Sequence, residues 1–457
     1  MRKLFALFCL LLGTVSSLPQ TPKSLAFTHV TVIDCTGAKP KPDMTVVITN
    51  GKITAIGKSA TIPADAQVIE ATGKFLIPGL WDMHVHATEI PVFLSLYLAN
   101  GVTGVRDMYA PNDSIFALRK QIQEGKTLGP RLVAAGRIVD GGLFWPRSEV
   151  VKNAEEGRKA VTTVKSEGSD FVKVYSGLSR EAYFAIAAES KKQGIVFAGH
   201  VPEAISAGEA SDAGQKSIEH LYGILRACST EEEALKKISP FSKEASRKRI
   251  ETFNEQKAEV LFAKLKRNKT WQCPTLVVLR PIAKRDDPEV TEEVRRISDV
   301  RMKYMPSFIP GSWNPKSDFS AEDFAQARRE FRKDLELVGK MRKAGVEFLA
   351  GTDVMNPYSF PGFSLHDELA LLVMAGLTPM EALQTATRNP ARYFGEEMKR
   401  GTLQTGKAAD LVLLDADPLQ DIRNTTKIQA VVVNGKLLTR ADLDKILAEA
   451  EAAANTK

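Results

Sequence analysis

The chain has 457 residues, too many for a lone β-sandwich and enough for a barrel of about 250 residues or more plus an accessory domain. Hydrophobic residues make up 44% and charged ones 26%, which excludes a disordered chain and predicts a large buried core. The formal net charge of +7 comes from basic residues scattered among acids, with no dense stripe and no interleaved aromatics, so nucleic acid is excluded as a partner class.

Arg2 and Lys3 precede an apolar run from Leu4 to Leu12, and Gly13, Thr14, Val15, Ser16 and Ser17 follow. That order predicts a secretory signal over residues 1–17, cleavage near Ser17, and an exported protein, periplasmic or secreted. The run is well short of the roughly 20 residues a spanning helix needs, and the mature protein is expected to have no membrane span. Phe8 ahead of Cys9 argues against lipoprotein processing. Beyond Cys9 the chain has Cys35, Cys228 and Cys273, too few for a disulfide framework. Three buried thiols are expected, with a Cys228–Cys273 bridge as the alternative.

From Leu25 to about Glu70 the chain reads as short β segments, with Asn50-Gly51 marking a hairpin. A similar pattern returns in DLVLLD (410–415) and IQAVVVNGKLL (428–438), the latter with Asn434-Gly435. The two β pieces are predicted to pair into one small β-sandwich, residues 18–75 and 401–440, with the middle of the chain inserted between them.

That middle, residues 76–400, alternates apolar strands with amphipathic helices. FLIPGLWDMHVHAT (75–88) opens it, followed by GVTGVRDM (101–108), PRLVAAGRIV (130–139), FVKVYSG (171–177), IVFAGHV (195–201), SIEHLYG (217–223), QCPTLVVL (272–279) and EFLAGTDV (347–354). Helices are expected over Asn153 to Ser166, Ser179 to Gln193 and Ala321 to Ala344. Eight alternations predict an α/β fold of the (β/α)8 barrel type, TIM-like, inserted into the sandwich. The proline-rich connection over 280–320 reads as a lid anchored by Tyr304, Phe308 and Trp313, and residues 441–457 as a final helix and tail.

Barrel enzymes place their chemistry at the C-terminal ends of the strands. His84 and His86 end the first, two apart and therefore on one face, an arrangement that suits a metal. Lys173 sits in the fourth strand, His200 ends the fifth, His220 the sixth and Asp353 the eighth. Each has a plainer reading: His200 in a loop, His220 bonded in the core, Asp353 capping a turn, and Lys173 snorkelling, paired with an acid or chemically altered. Together in one apolar funnel they would need a cation to neutralise and orient them. His29 reads as part of the β layer and His366 as helical, neither as a ligand. Asp82, Asp107 and Glu219 either orient the ligands or serve turns and ion pairs.

PGLWDMHVH, the strand-borne Lys173, Gly199-His200, Glu219-His220 and Gly351-Thr352-Asp353 resemble the five signature positions of the amidohydrolase superfamily. The segments LHDELALLVMAGLTPMEALQTATRNPARYFG, GTLQTGKAADLVLLDADPL and VVVNGK resemble its imidazolonepropionase-like and Xaa-Pro dipeptidase-like branch, and the likeness runs from about Phe27 to Leu438. The resemblance implies a binuclear site: Lys173 carboxylated to N6-carboxylysine and bridging two divalent ions, zinc by the nitrogen and oxygen donors; His84, His86 and Asp353 on one ion; His200 and His220 on the other. It also implies hydrolysis of a C–N bond by a metal-bridging hydroxide, with Asp353 carrying the proton to the leaving nitrogen. Exported members of this branch cleave dipeptides or N-acyl amino acids, and Tyr175 is a candidate substrate contact. Where the branch often has a Gly-Gly-His turn, this chain has Gly141-Gly142-Leu143, then Phe144 and Trp145, which points to a more apolar pocket. A cyclic amide or lactone hydrolase is the second enzyme reading, an inactive exported metal-binding scaffold the third, and homo-oligomerisation is left open.

Overall fold

Strand β1 (Ser24–Val32) is followed by β2 (Lys41–Thr49) and β3 (Lys52–Gly57), which meet at Asn50 and Gly51. Both turn residues have positive φ, 50° and 70°, as a two-residue type I′ hairpin requires, and Asn-Gly is the pair that adopts it at least cost. The computed structural model describes residues 24–86, 88, 90–110, 113–240, 242–284, 300–306, 309 and 320–454. The expected signal segment and most of the 280–320 connection, Phe308 and Trp313 included, lie outside the described residues.

After β4 (Gln67–Glu70) and β5 (Phe75–Pro78) the chain enters its central region. There β6 (Leu80–Val85), β7 (Val102–Asp107) and β8 (Arg131–Ala134) form one parallel sheet. A second contains β9 (Ile138–Asp140), β10 (Glu149–Val150), β11 (Val172–Val174), β12 (Phe197–Gly199), β13 (Ser217–Glu219) and β14 (Trp271–Cys273), in the order β10-β9-β11-β12-β13-β14. The helices between them cover the outer faces. Their ends follow the sequence closely: Ala154–Ser166 is capped by Asn153, Arg180–Gln193 by Ser179 with Gly194 in the left-handed region, and Ala321–Ala344 by a Ser320/Asp323 capping box.

Four expected strands come out differently. The first, 75–88, breaks at Gly79, so that β5 joins the terminal strands and only β6 enters the central region. Residues 130–139 split at Gly136 (φ 69°) into β8 and β9, one in each sheet. The segment 272–279 is strand only to Cys273; Thr275 takes a positive φ of 49° and a helix, Leu276–Lys284, begins at once. Residues 347–354 form no strand, because they touch each neighbour only briefly. Phe348 bridges Gln272, Leu349 N–H donates to Gln272 O at 2.9 Å, and Met83 N–H donates to Ala350 O at 2.8 Å. The eighth segment therefore lies between β14 and β6 without extending either ladder, and the barrel is not closed by continuous strand pairing.

The chain then returns with β15 (Leu411–Leu414), β16 (Ile428–Val433) and β17 (Lys436–Thr439). The terminal strands make one connected sheet in the order β17-β16-β15-β5-β1-β2-β3, with β4 beside β1. Its open β3 edge reaches residues just ahead of β15, where Ile53 N–H donates to Lys407 O at 2.9 Å. Asn434 and Gly435 (φ 50° and 76°) repeat the first hairpin turn, and the two turns pack so closely that a Cβ on Gly435 would lie 3.1 Å from Gly51 Cα. The sheet has its own core of Phe27, Val30, Val46, Ile48, Leu76, Leu411, Leu413 and Val432. Arg440–Ala454 forms the expected final helix. Cys35, Cys228 and Cys273 are free, buried thiols. Among the described residues no helix is long and apolar enough to cross a membrane.

Candidate active site

His84 is the next-to-last residue of β6, a strand buried along its whole length, and its ring is fully enclosed. Its Nδ1 lies 2.9 Å from Glu219 Oε2 at the end of β13. A carboxylate accepts, so Nδ1 carries the proton and Nε2 keeps a bare lone pair. That Nε2 is buried, has no hydrogen-bond partner, and lies 3.4 Å from Asp353 Oδ1. His86, just past the strand, donates from Nδ1 to Tyr109 O at 3.4 Å and places Nε2 2.9 Å from the same Asp353 oxygen.

The other two imidazoles are tied in the same way. His200 follows β12, with Nδ1 2.8 Å from Ser176 Oγ. His220 follows β13, with Nδ1 2.6 Å from Thr275 Oγ1. Their rings are 5.0 Å apart between centroids, and His220 is 4.6 Å from His84. In all four histidines Nδ1 is engaged; the Nε2 atoms of His84 and His86 share one Asp353 oxygen, and His220 approaches the other with Nδ1 at 3.7 Å.

Charge agrees with geometry. Burial, reinforced by Lys173, holds His84 and His200 well below the ordinary imidazole range, and burial lowers His220 despite Asp353. These three rings are therefore neutral donors near pH 7. Burial pushes the Asp353 carboxyl up, but His220, the hydrogen bond from His86 and Lys173 outweigh it and hold the group at about 2, ionised. His84, His86 and Asp353 present ligand atoms all within 4.8 Å of one another. An orphaned imidazole nitrogen beside an anionic oxygen fits a divalent cation.

Lys173 occupies the middle of β11, opposite Ala198 on one side and Ile138 on the other, and is 1% exposed. Burial lowers its amine to about 8, with Glu219 and Asp353 opposing. Among the described residues it belongs to no salt bridge, so of the sequence-based alternatives pairing with an acid is not what this structure has.

The signature glycines have steric reasons. A Cβ on Gly199 would lie 2.1 Å from Val174 O and 3.0 Å from Lys173 Cδ; one on Gly351 would lie 2.8 Å from His84 Cβ. Asp353 and His220 themselves hold positive φ, 52° and 58°, a conformation costly for non-glycine residues and found where a site over-determines the backbone.

Asp82 accepts from Thr352 Oγ1 (2.6 Å), Thr352 N (3.0 Å) and His84 N (3.3 Å), tying the eighth segment to β6. Asp107 accepts from Thr88 Oγ1 at 2.6 Å and Tyr109 N at 3.0 Å, so it fixes the loop beneath His86. Tyr175 stacks on His200 with centroids 4.1 Å apart. Sequence reasoning missed Arg106, fully buried on β7, whose Nη2 donates to both Glu219 oxygens at 3.0 and 2.9 Å. The signal was there: an arginine beside Asp107 in an otherwise apolar strand. It also missed Ser176, Thr275 and Tyr222, the last stacked on His200 at 4.6 Å. His366 lies in the helix Phe363–Met374 and bonds to Thr425 and Asn100, and His29 pairs with Asp43 on the surface; neither approaches the site.

An ochratoxinase from Aspergillus niger is 23% identical over 461 residues, which cover 86% of this chain and 82% of the fungal protein. The solved structure of a Xaa-Pro dipeptidase with methionine bound in its active site is 20% identical, with a TM-score of 0.66, and the match covers 91% of this chain and all of that one. A bottromycin amidohydrolase is 22% identical, with a TM-score of 0.75, over 96% of this chain and 92% of its own. At these identities the solved structures establish the fold, one of the TIM-barrel type. The model of the amidohydrolase family matches residues 75–438, and this chain belongs to that family.

Proposed function

We propose that this protein hydrolyses the amide bond of dipeptides or N-acyl amino acids, using two divalent metal ions, zinc in the simplest case. His84, His86 and Asp353 would hold one ion and His200 and His220 the other, with Lys173, carboxylated, between them. The observation that carries the reading is the group His84, His86 and Asp353, whose ligand atoms lie within 4.8 Å of one another, with Nδ1 of His84 tied to Glu219 and Nδ1 of His86 to Tyr109 O so that both Nε2 atoms face one carboxylate oxygen. When bound, the ions supply a Lewis acid for the amide carbonyl and a water acidified enough to attack near neutral pH.

The chain's own groups do the rest. The Lys173 amine, lowered to about 8, is partly unprotonated at neutral pH. It can add to carbon dioxide, forming one N–C bond and releasing one proton, and the anionic product suits a site of cations. Asp353, ionised, accepts the proton lost by the attacking water and returns it to the leaving nitrogen. Tyr175, against His200, flanks the substrate. Similarity to an ochratoxinase, a Xaa-Pro dipeptidase and a bottromycin amidohydrolase supports a C–N bond as the target. The charge, apolar and small-residue order of residues 1–17 supports export.

The test is hydrolysis of a dipeptide and N-acyl amino acid panel by zinc-loaded protein, beside Lys173→Ala. Expected are turnover, about two metal equivalents per chain, and a loss of both turnover and metal in the variant. Equal turnover by both proteins removes the carbamate from the mechanism.

A further inference from the structure

Eight rings close a circuit at the mouth of the site. From His84 it runs to His86 (5.2 Å between centroids), Tyr109 (6.2 Å), Trp145 (6.0 Å), Phe144 (5.3 Å), Tyr175 (6.0 Å), His200 (4.1 Å), His220 (5.0 Å) and back to His84 (4.6 Å). Four of these rings are the tethered imidazoles. The other four form a wall on one side, built from the ends of β7 and β11 and from the loop after β9.

The loop is held from both sides. At one end the Tyr109 hydroxyl donates to Pro146 O at 2.6 Å, and at the other Gly141 N–H donates to Asp140 Oδ1 at 2.8 Å. Between these anchors Leu143 and Phe144 remain 70% and 71% exposed, although Phe144 lies nearly parallel to Tyr175 at 29°. Large apolar side chains left in water and fixed in position beside a site form a preorganised contact surface, because little entropy remains to be lost on binding. Residues 143–145 carry a single polar side-chain group, the Trp145 N–H.

Resting on the hydrolase reading above, we infer that Phe144, Leu143 and Tyr175 form a subsite for an aryl group of the amide substrate, which stacks on the Phe144–Tyr175 face while the scissile bond lies toward His200. An aliphatic group would gain burial there, but only an aryl group gains the ring-to-ring term that the parallel pair offers.

The test compares kcat/KM for N-acetyl-phenylalanine, N-acetyl-cyclohexylalanine and N-acetyl-alanine, and for the corresponding dipeptides, in wild type, Phe144→Ala and Phe144→Tyr. Expected in wild type is a preference for phenylalanine over alanine of at least ~10-fold, and over cyclohexylalanine of several-fold. Both ratios should collapse in Phe144→Ala and return in Phe144→Tyr. Retention of the ratios in Phe144→Ala, or parity of phenylalanine with cyclohexylalanine in wild type, overturns the subsite. Saturable binding of N-acetyl-phenylalaninamide to the full chain, followed by calorimetry, separates this from the hydrolase reading. If no amide is turned over, the hydrolase reading fails, and weaker binding by Phe144→Ala still supports the subsite whereas equal binding overturns it. Phe144 is exposed, so a melting curve matching wild type is expected for each variant.

Discussion

Glu219 Oε2 lies 2.9 Å from His84 Nδ1 and 2.9 Å from Arg106 Nη2, so one buried carboxylate orients a site imidazole and neutralises a buried guanidinium together. The Ser217 hydroxyl donates to its other oxygen at 2.5 Å. Glu219 ends β13, Arg106 is on β7 and His84 on β6, so three strands are cross-braced beneath the buried His84 Nε2.

Glu219→Gln should therefore weaken metal binding by roughly 10- to 100-fold, because the amide can no longer hold the imidazole proton on Nδ1 as firmly. It should also lower stability by about 3 kcal/mol or more, since Arg106 keeps a buried charge without its counterion. Chelator competition and urea unfolding measure the two effects. Wild-type metal affinity in a folded variant would show that Glu219 serves only the arginine.

Metal removal should destabilise the protein. Zinc restored at a hundredfold excess over Kd should add about 3 kcal/mol, seen as a rise in Tm over the chelated sample. His29→Asn, altering the exposed His29–Asp43 contact of the terminal sheet, should leave that rise intact. A Tm indifferent to zinc would count against any metal site.

Gly199→Ala should be among the most damaging single changes. Its Cβ would sit 2.1 Å from Val174 O at a backbone φ of 139°, and the nearest side-chain atom to be displaced is Lys173 Cδ. A loss of about 3 kcal/mol or more is expected, with lower metal occupancy in whatever fraction folds. Thermal melts beside metal analysis would check this. A variant with wild-type Tm would mean that β11 and β12 can separate at no cost.

His366 gives a pH dependence whose sign is fixed by burial. Enclosed between Thr425 and Asn100, its imidazole is lowered from 6.5 to about 4, chiefly by desolvation. Between those values the unfolded chain binds a proton that the folded chain does not, so stability falls as pH drops through the window and levels off below about 4. The full span is about 3 kcal/mol. Urea midpoints from pH 7 to 4, taken as the difference between wild type and His366→Gln, isolate this group from the other titrating residues. A flat difference would contradict the burial argument.

Local pattern alone was enough for the helices and hairpins, because caps and turn chemistry act over three or four residues. Asn153, Ser179 and Ser320 fixed where helices begin, and the two Asn-Gly pairs fixed the hairpins of the terminal sheet. The same locality placed His84, His86, His200 and His220 at or just past strand ends and Lys173 within a strand. Three things needed the tertiary structure. The eighth segment is not a strand, because contact with β14 and β6 is limited to a few backbone bonds and Gly351 must pass against His84. The Arg106–Glu219 pair spans 113 positions, and no periodicity couples residues so far apart. The aromatic wall joins Tyr109, residues 143–145 and Tyr175 from three loops, and only the curvature of the sheets, which depends on all the packing beneath them, brings those loops to one rim.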